Sequence, residues 1–258
     1  VANSTALMSL FCKWADSCAT PKVCQSLMVY SITFGTKNRP RSTAGALRWL
    51  ASRWLASLAT SSRKRKAIRR ERKDALSAGV EIEWATGKDL TAAHWDAFYA
   101  FYMDTGSRKW GTPYLTRKFF TLLSETMADR VLLIMAKREG RYIAGALNLI
   151  GDDALYGRNW GCIEEHPFLH FEVCYYQAID FALSRGLKRV EAGAQGEHKL
   201  LRGYEPIETY SAHAIADPRL EKAVAQFLRE ERREMARVIE AYAEHTPFRK
   251  GELQQERE

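Results

Sequence analysis

The chain has 258 residues, 46% of them apolar and 27% charged, with a net charge of +8. That length and balance suit a globular protein with a sizeable core. The longest apolar stretch, 44–58, is broken by Arg48 and Arg53, which excludes a membrane span there. No basic leader precedes an unbroken apolar segment, so the expected location is cytoplasmic, with peripheral membrane contact compatible; the Val1 start reads as a fragment or a processed product. The five cysteines lack zinc-pair spacing, so reduced thiols and no metal are expected.

Residues 1–60 form a poorly defined segment. Ser26 to Phe34 reads as a strand and 37–43 as a loop, and the tandem RWLAS at 48–52 and 53–57 puts Leu47, Leu50, Trp54 and Leu58 on one helical face, for packing or for a membrane surface. A basic helix follows over 61–79, with eight cations and one acid in 63–73. Arg63, Lys64, Arg65, Lys66, Arg69 and Arg70 form a candidate patch for phosphate or RNA, the alternative being a solvated helix face.

From residue 80 to 258 the pattern reads as one lobe. Val80 to Ala85 alternates as a short strand, Thr91 to Met103 and Leu115 to Ala128 read as helices, and 104–113 is a loop between them. Three strands follow, Arg130 to Lys137, Arg141 to Ile150 and Ala154 to Cys162, and their tight Gly and Asp turns argue an antiparallel meander. A helix over Phe171 to Ser184 ends at Gly186. Leu187 to Ala192 is a strand, Gln195 to Arg202 a short helix or turn, and Thr209 to Ala216 a last strand. Asp217-Pro218 opens a helix over 217–245 with an apolar stripe from Leu220 to Tyr242. The order is that of an α+β, GNAT-like acyltransferase fold: a mixed, mostly antiparallel sheet flanked by helices, splayed between Ala154–Cys162 and Leu187–Ala192.

Trp160 to His213 holds four of the six histidines, with glutamates among them. Titratable groups gathered at connections are what a site needs. His170 and Glu172 lie at a helix start, where either serves as a base and Glu172 equally as a capping acid. Gly193, Gln195, Gly196, Glu197, His198, Lys199 and Arg202 form a second cluster. Its glycines permit close approach, Glu197 and His198 supply acid and base, and Lys199 and Arg202 clamp an anion; the alternative is a plain connection with surface charges. Ser107, Arg108, Lys109 and Trp110 form a further candidate substrate wall or an ordinary surface loop.

The segments SSRKRKAIRRERKDA, HWDAFYAFYMDTGSRKWGTPYLTRKFF, ADRVLLIMAKREGRYIAGALNLIG, YGRNWGCIEEHPFLHFEVCYYQAIDFA, EAGAQGEHKLLRGYEP and TYSAH are long and distinctive. They closely resemble a bacterial family of predicted N-acyltransferases related to the Fem-type peptidoglycan aminoacyltransferases. The resemblance covers about Leu55 to Arg249. It implies acyl or aminoacyl transfer to an amine, such as a cell-wall precursor, with acyl-CoA or aminoacyl-tRNA as donor and tRNA as a candidate partner. It also implies that 1–60 keeps the remnant of a first acyltransferase-like lobe. One departure bears on the donor. The glycine-rich pyrophosphate loop of acetyl-CoA enzymes is replaced by GCIEEHPFLHFE, whose three acids are expected to repel phosphate. Two rival readings follow: a non-catalytic binder of a peptidoglycan-like or anionic ligand on the same fold, and an RNA binder acting through 63–73.

Overall fold

The structure, a computed structural model, describes residues 22–33, 62–108, 113–193 and 197–244. The RWLAS repeat and most of the N-terminal segment lie outside them. The chain divides into two compact units, one formed by Ser31–Gly193 with Pro247–Glu258 and the other by Val1–Tyr30 with Ala194–Thr246.

The first unit is built on five strands in the order β2-β3-β4-β5-β6: β2 (Val80–Thr86), β3 (Val131–Arg138), β4 (Arg141–Ile150), β5 (Ala154–Cys162) and β6 (Arg189–Glu191). Pairing is antiparallel from β2 to β5 and parallel between β5 and β6. The last residues of β1 (Lys22–Thr33), Ser31 to Thr33, run antiparallel to β6. The β3–β4 turn is set by Glu139 and Gly140, both left-handed (φ 51° and 74°), the two-residue geometry whose twist suits a tight hairpin.

Val131 to Ala136 are all buried, so β3 is covered on both faces, as its unbroken apolar run requires. On one face Val131, Leu133 and Met135 meet α2 (Ala92–Ser107) and α3 (Arg117–Met127). Phe120 is ringed there by Trp95, Phe98, Tyr99 and Tyr102, with centroids 5.7 to 5.9 Å away. Thr91 and His94 start α2 with reciprocal side-chain caps.

The other face carries α1 (Ser62–Leu76), a short α4 (Leu169–Phe171), a π turn (Glu172–Tyr176) and α5 (Gln177–Arg185). Only part of this was expected. The apolar spacing predicts one regular helix from Phe171, whereas the helical segment starts two residues earlier, at Leu169, and is widened by the π turn. Gly186 closes it in the left-handed conformation, with Leu187 N–H donating to Ala182 O.

In the second unit a 3₁₀ turn (Glu197–Arg202) leads to β7 (Glu205–Ala214) and α6 (Pro218–Glu244). β7 starts four residues before the expected Thr209. Asp217 caps α6 by accepting from the N–H groups of Arg219 and Leu220. Of the expected apolar stripe only Leu228 is buried, whereas Leu220 and Phe227 are exposed.

Candidate active site

β6 pairs with β5 at only three positions, Ala154–Arg189, Leu155–Val190 and Tyr156–Glu191. β5 then continues through Cys162 after β6 has ended at Glu191. The parting coincides with a bulge. Leu147 pairs with Asn159 and Asn148 with Gly157, which leaves Arg158 without a partner on β4. An extra residue bends a strand and re-aims its side chains. Pairing between β5 and β6 thus ends after Tyr156–Glu191, in the pair of strands between which the splay is expected.

A cavity of about 120 Å³ opens at the parting, lined by Asn148, Gly157, Asn159, Trp160, His170, Cys174, Tyr175 and Ala192, among others. Gly157 keeps it open, since a Cβ there would stand 3.3 Å from Glu191 O. The His170 ring stands in an aromatic wall, 5.2 Å from Trp160, 5.4 Å from Phe171 and 5.4 Å from Tyr175. Asn148 is buried, and its amide reaches Ala146 O at a long 3.4 Å. The Oδ1 of Asn159 is buried without a hydrogen-bond partner among the described residues. A buried acceptor left so costs about 1–3 kcal/mol, which favours a ligand N–H or a water at that point. A larger hollow of about 530 Å³ beside Gly87 and Arg185 is lined by the exposed charged groups Lys88, Asp89, Asp129 and Arg185.

Glu172, read from sequence as a base or a cap, does not line this cavity. It is fully buried, and Arg72 of α1 grips both its oxygens, Nε to Oε2 at 3.0 Å and Nη2 to Oε1 at 2.8 Å. Gln177 donates to Oε1 at 2.7 Å, and Trp84 donates to Gln177 at 2.8 Å. Arg72 also reaches Asp180 at 2.7 Å. Burial pushes the Asp180 carboxyl above its usual range, against the pull of Arg72. Sequence reasoning missed Arg72, because it sits inside a run of cations that otherwise faces outward. Arg63, Lys66, Arg69 and Arg70 are exposed and Lys64 and Arg65 half-buried, while Ile68 and Ala75 turn inward with Arg72.

The three acids expected to repel phosphate are each met by arginine. Glu164 accepts from Arg138 at 3.0 Å and Arg141 at 2.7 Å, with His166 at 3.2 Å. Hydrogen bonds from His166 and Arg138 hold its carboxyl below the usual range. Glu165 lies 3.6 Å from Arg108. These paired arginines offset the repulsion of phosphate expected from the three acids. Arg108 itself donates to Cys162 O at 3.1 Å and pairs with Asp104 at 2.6 Å, which ties the end of α2 to the end of β5. Trp110 and Lys109 lie outside the described residues.

In the second unit, Gln195, Gly196 and the Glu197 side chain also lie outside the description. Lys199 and Arg202 are buried, and Arg202 donates to His198 O at 2.8 Å. Burial, with Arg202 and Lys199 nearby, pushes the His198 imidazole below its ordinary titration. Gly193, which ends the first unit, turns left-handed at φ 78°. Of the metal-capable types, His166 is taken by Glu164, Glu172 by Arg72, and His170 lies in the aromatic wall. Among the described residues, no group of three such side chains is placed to hold a metal ion.

A family model described as FemAB-like, peptidoglycan biosynthesis/recognition, matches residues 51–250. The chain belongs to the FemAB-like family. Among solved structures, FemX is similar over 76% of this chain and 64% of its own length, at 13% identity and a TM-score of 0.51, a likeness of fold. L-PGS from Bacillus licheniformis aligns over 86% of this chain and 68% of its own at 10% identity (TM-score 0.48). A functionally unknown conserved protein from Staphylococcus epidermidis aligns over 81% and 66% at 10% identity (TM-score 0.41). The chain thus spans about two-thirds of the length of these solved structures. No curated protein matches it. Among the described residues, no helix is long and apolar enough to cross a membrane.

Proposed function

We propose that this FemAB-like chain transfers an acyl or aminoacyl group to an amine acceptor such as a cell-wall precursor, with the β5–β6 cavity as the site of transfer. The observation that carries the reading is the cavity itself: a histidine, two amides and aromatic rings gathered where two paired strands part. Amide formation requires an amine stripped of its proton, an oxyanion that is stabilised, and a leaving oxygen or sulfur that is protonated. His170 takes the amine proton and returns it to the leaving group. The Asn148 and Asn159 amides orient the carbonyl and the amine. Glu172 holds the cavity wall rather than a proton.

For the donor, aminoacyl-tRNA suits the outward cations Arg63, Lys66, Arg69 and Arg70, with Lys64 and Arg65 at the margin. Acyl-CoA is the alternative donor. His198, biased toward its neutral form, is a second candidate base, and Lys199 and Arg202 are candidate anion partners of the other unit.

The test is transfer from labelled aminoacyl-tRNA or acyl-CoA to a precursor peptide carrying a free amine. His170→Ala is expected to lower the rate by about 10²-fold or more. Absence of transfer with every donor, by this chain and by a full-length relative, overturns the reading. A non-catalytic binder is favoured by one observation, that amides and aromatic rings rather than carboxylates line the cavity. It predicts that His170→Ala weakens ligand binding and that no turnover accompanies it.

A further inference from the structure

Two consecutive residues of α1 reach the two ends of the π turn. Arg72 forks onto Glu172, its first residue, at 2.8 and 3.0 Å. Glu71 accepts from the hydroxyl of Tyr176, its last residue, at 2.6 Å, and the Arg72 guanidinium lies 5.5 Å from the Tyr176 ring centroid. Between these ends lie Cys174 and Tyr175, which line the cavity, and two residues ahead lies His170, which lines it as well. A π turn places one extra residue in a helical turn, closed here by the Gln177 N–H on Glu172 O, and so shifts the direction of the side chains around it. Both ends of that turn are also held from α1. Trp84 and Gln177 complete the brace by fixing Glu172 Oε1 from the β2 side.

We propose that Arg72 is the positioning residue of the β5–β6 cavity: its grip on Glu172, with Glu71 on Tyr176, sets the π turn and thereby the places of His170, Cys174 and Tyr175. This rests on the reading of the cavity as the site, but its consequences can be measured without turnover. The guanidinium fork matters as well as the charge. Lysine keeps the cation that offsets two buried carboxylates and loses the two parallel bonds.

Arg72→Lys is therefore the test, in the full chain, with Cys174 alkylation by iodoacetamide followed by peptide mass spectrometry and the His170 ring followed by NMR. Cys162, in β5 and half-buried like Cys174, is the internal reference. The Cys174 rate is expected to rise about tenfold relative to Cys162, the factor that ~1.4 kcal/mol of lost restraint gives. The His170 resonances are expected to shift. A purely stabilising Arg72 would lower the melting temperature and leave the Cys174-to-Cys162 ratio and the His170 resonances at their parent values; that outcome overturns the proposal. Should Arg72→Lys fail to fold, Glu172→Gln keeps the side-chain shape and weakens the same fork, and the same two readouts decide. Loss of transfer activity with every donor would sink the proposed function and leave this measurement intact.

Discussion

Gly161→Ala should be among the most damaging single-atom changes in the first unit. Gly161 of β5 pairs with Gly145 of β4, so two adjacent strands present no side chain at one spot. Phe98 and Phe101 of α2 lie over it. A Cβ on Gly161 would stand 2.4 Å from Phe101 O and 2.6 Å from Phe101 C, both backbone atoms. Backbone cannot swing aside as a side-chain tip can, so α2 must lift from the sheet. Overpacking of this kind costs about 1–3 kcal/mol, and the upper end applies because the clash is with main chain. At about 2–4 °C per kcal/mol for a chain of this size, the melting temperature should fall by roughly 6–12 °C. Gly145→Ala is the control. Its Cβ would meet Met135 Sδ at 2.7 Å, the flexible end of a side chain, and Phe98 Cδ2 at 3.3 Å, so it should cost about 1 kcal/mol. Thermal and urea melts of both variants give the comparison. If Gly161→Ala lies within ~0.5 kcal/mol of the parent, or Gly145→Ala is the costlier change, the close seating of α2 is refuted.

Three further outcomes follow from the charges. Folding raises the Asp180 titration, so its stabilising contribution is complete at pH values below its unfolded titration and is lost as pH rises through the folded one. Asp180→Asn, which mimics the protonated form, should be at least as stable as the parent at pH 7 and lose that advantage in acid; urea melts at both pH values check this. Folding lowers the His198 titration, so its contribution is complete above the ordinary histidine range and is lost as pH falls through the folded titration. Arg202→Gln should move that titration upward, read by NMR of the ring. Replacing Arg63, Lys66, Arg69 and Arg70 together by alanine should leave the fold intact and, if these groups meet phosphates, reduce the salt slope of tRNA binding by about 3–4.

Much of the scaffold could be read locally. The β3–β4 turn was legible because Glu139-Gly140 breaks two apolar runs, and the end of α5 because Gly186 follows the last apolar position. The splay was legible only through strand order. The π turn was not legible, since a hydrogen-bond register has no composition of its own. Arg72 was hidden among seven other cations, and only the phase of Ile68, Arg72 and Ala75 hinted that one of them turned inward. Glu172 looked like a helix-start acid because its true partner is 100 residues away in sequence. Asn148 carried a signal that could have been used: a single amide in the apolar run of β4 is a polar group that needs a reason to be buried.

The choice of donor turns on backbone amides more than on charge. With Glu164 met by two arginines, Glu165 near Arg108 and Glu172 held by Arg72, the acids after β5 carry little uncompensated field. A pyrophosphate cradle needs several N–H groups turned toward one point. Here the N–H of Ile163 donates to Ile143 O, that of Leu169 to His166 O and that of Glu172 to Phe168 O. Phe168 takes a left-handed conformation (φ 62°) just ahead of α4, and its bulky side chain stands where a cradle would use glycine. Three amides of the segment after β5 are thus committed to backbone carbonyls. An aminoacyl-tRNA whose phosphates rested on the outward face of α1 would not compete for these three amides, which is the ground for setting it beside acyl-CoA in the transfer assay.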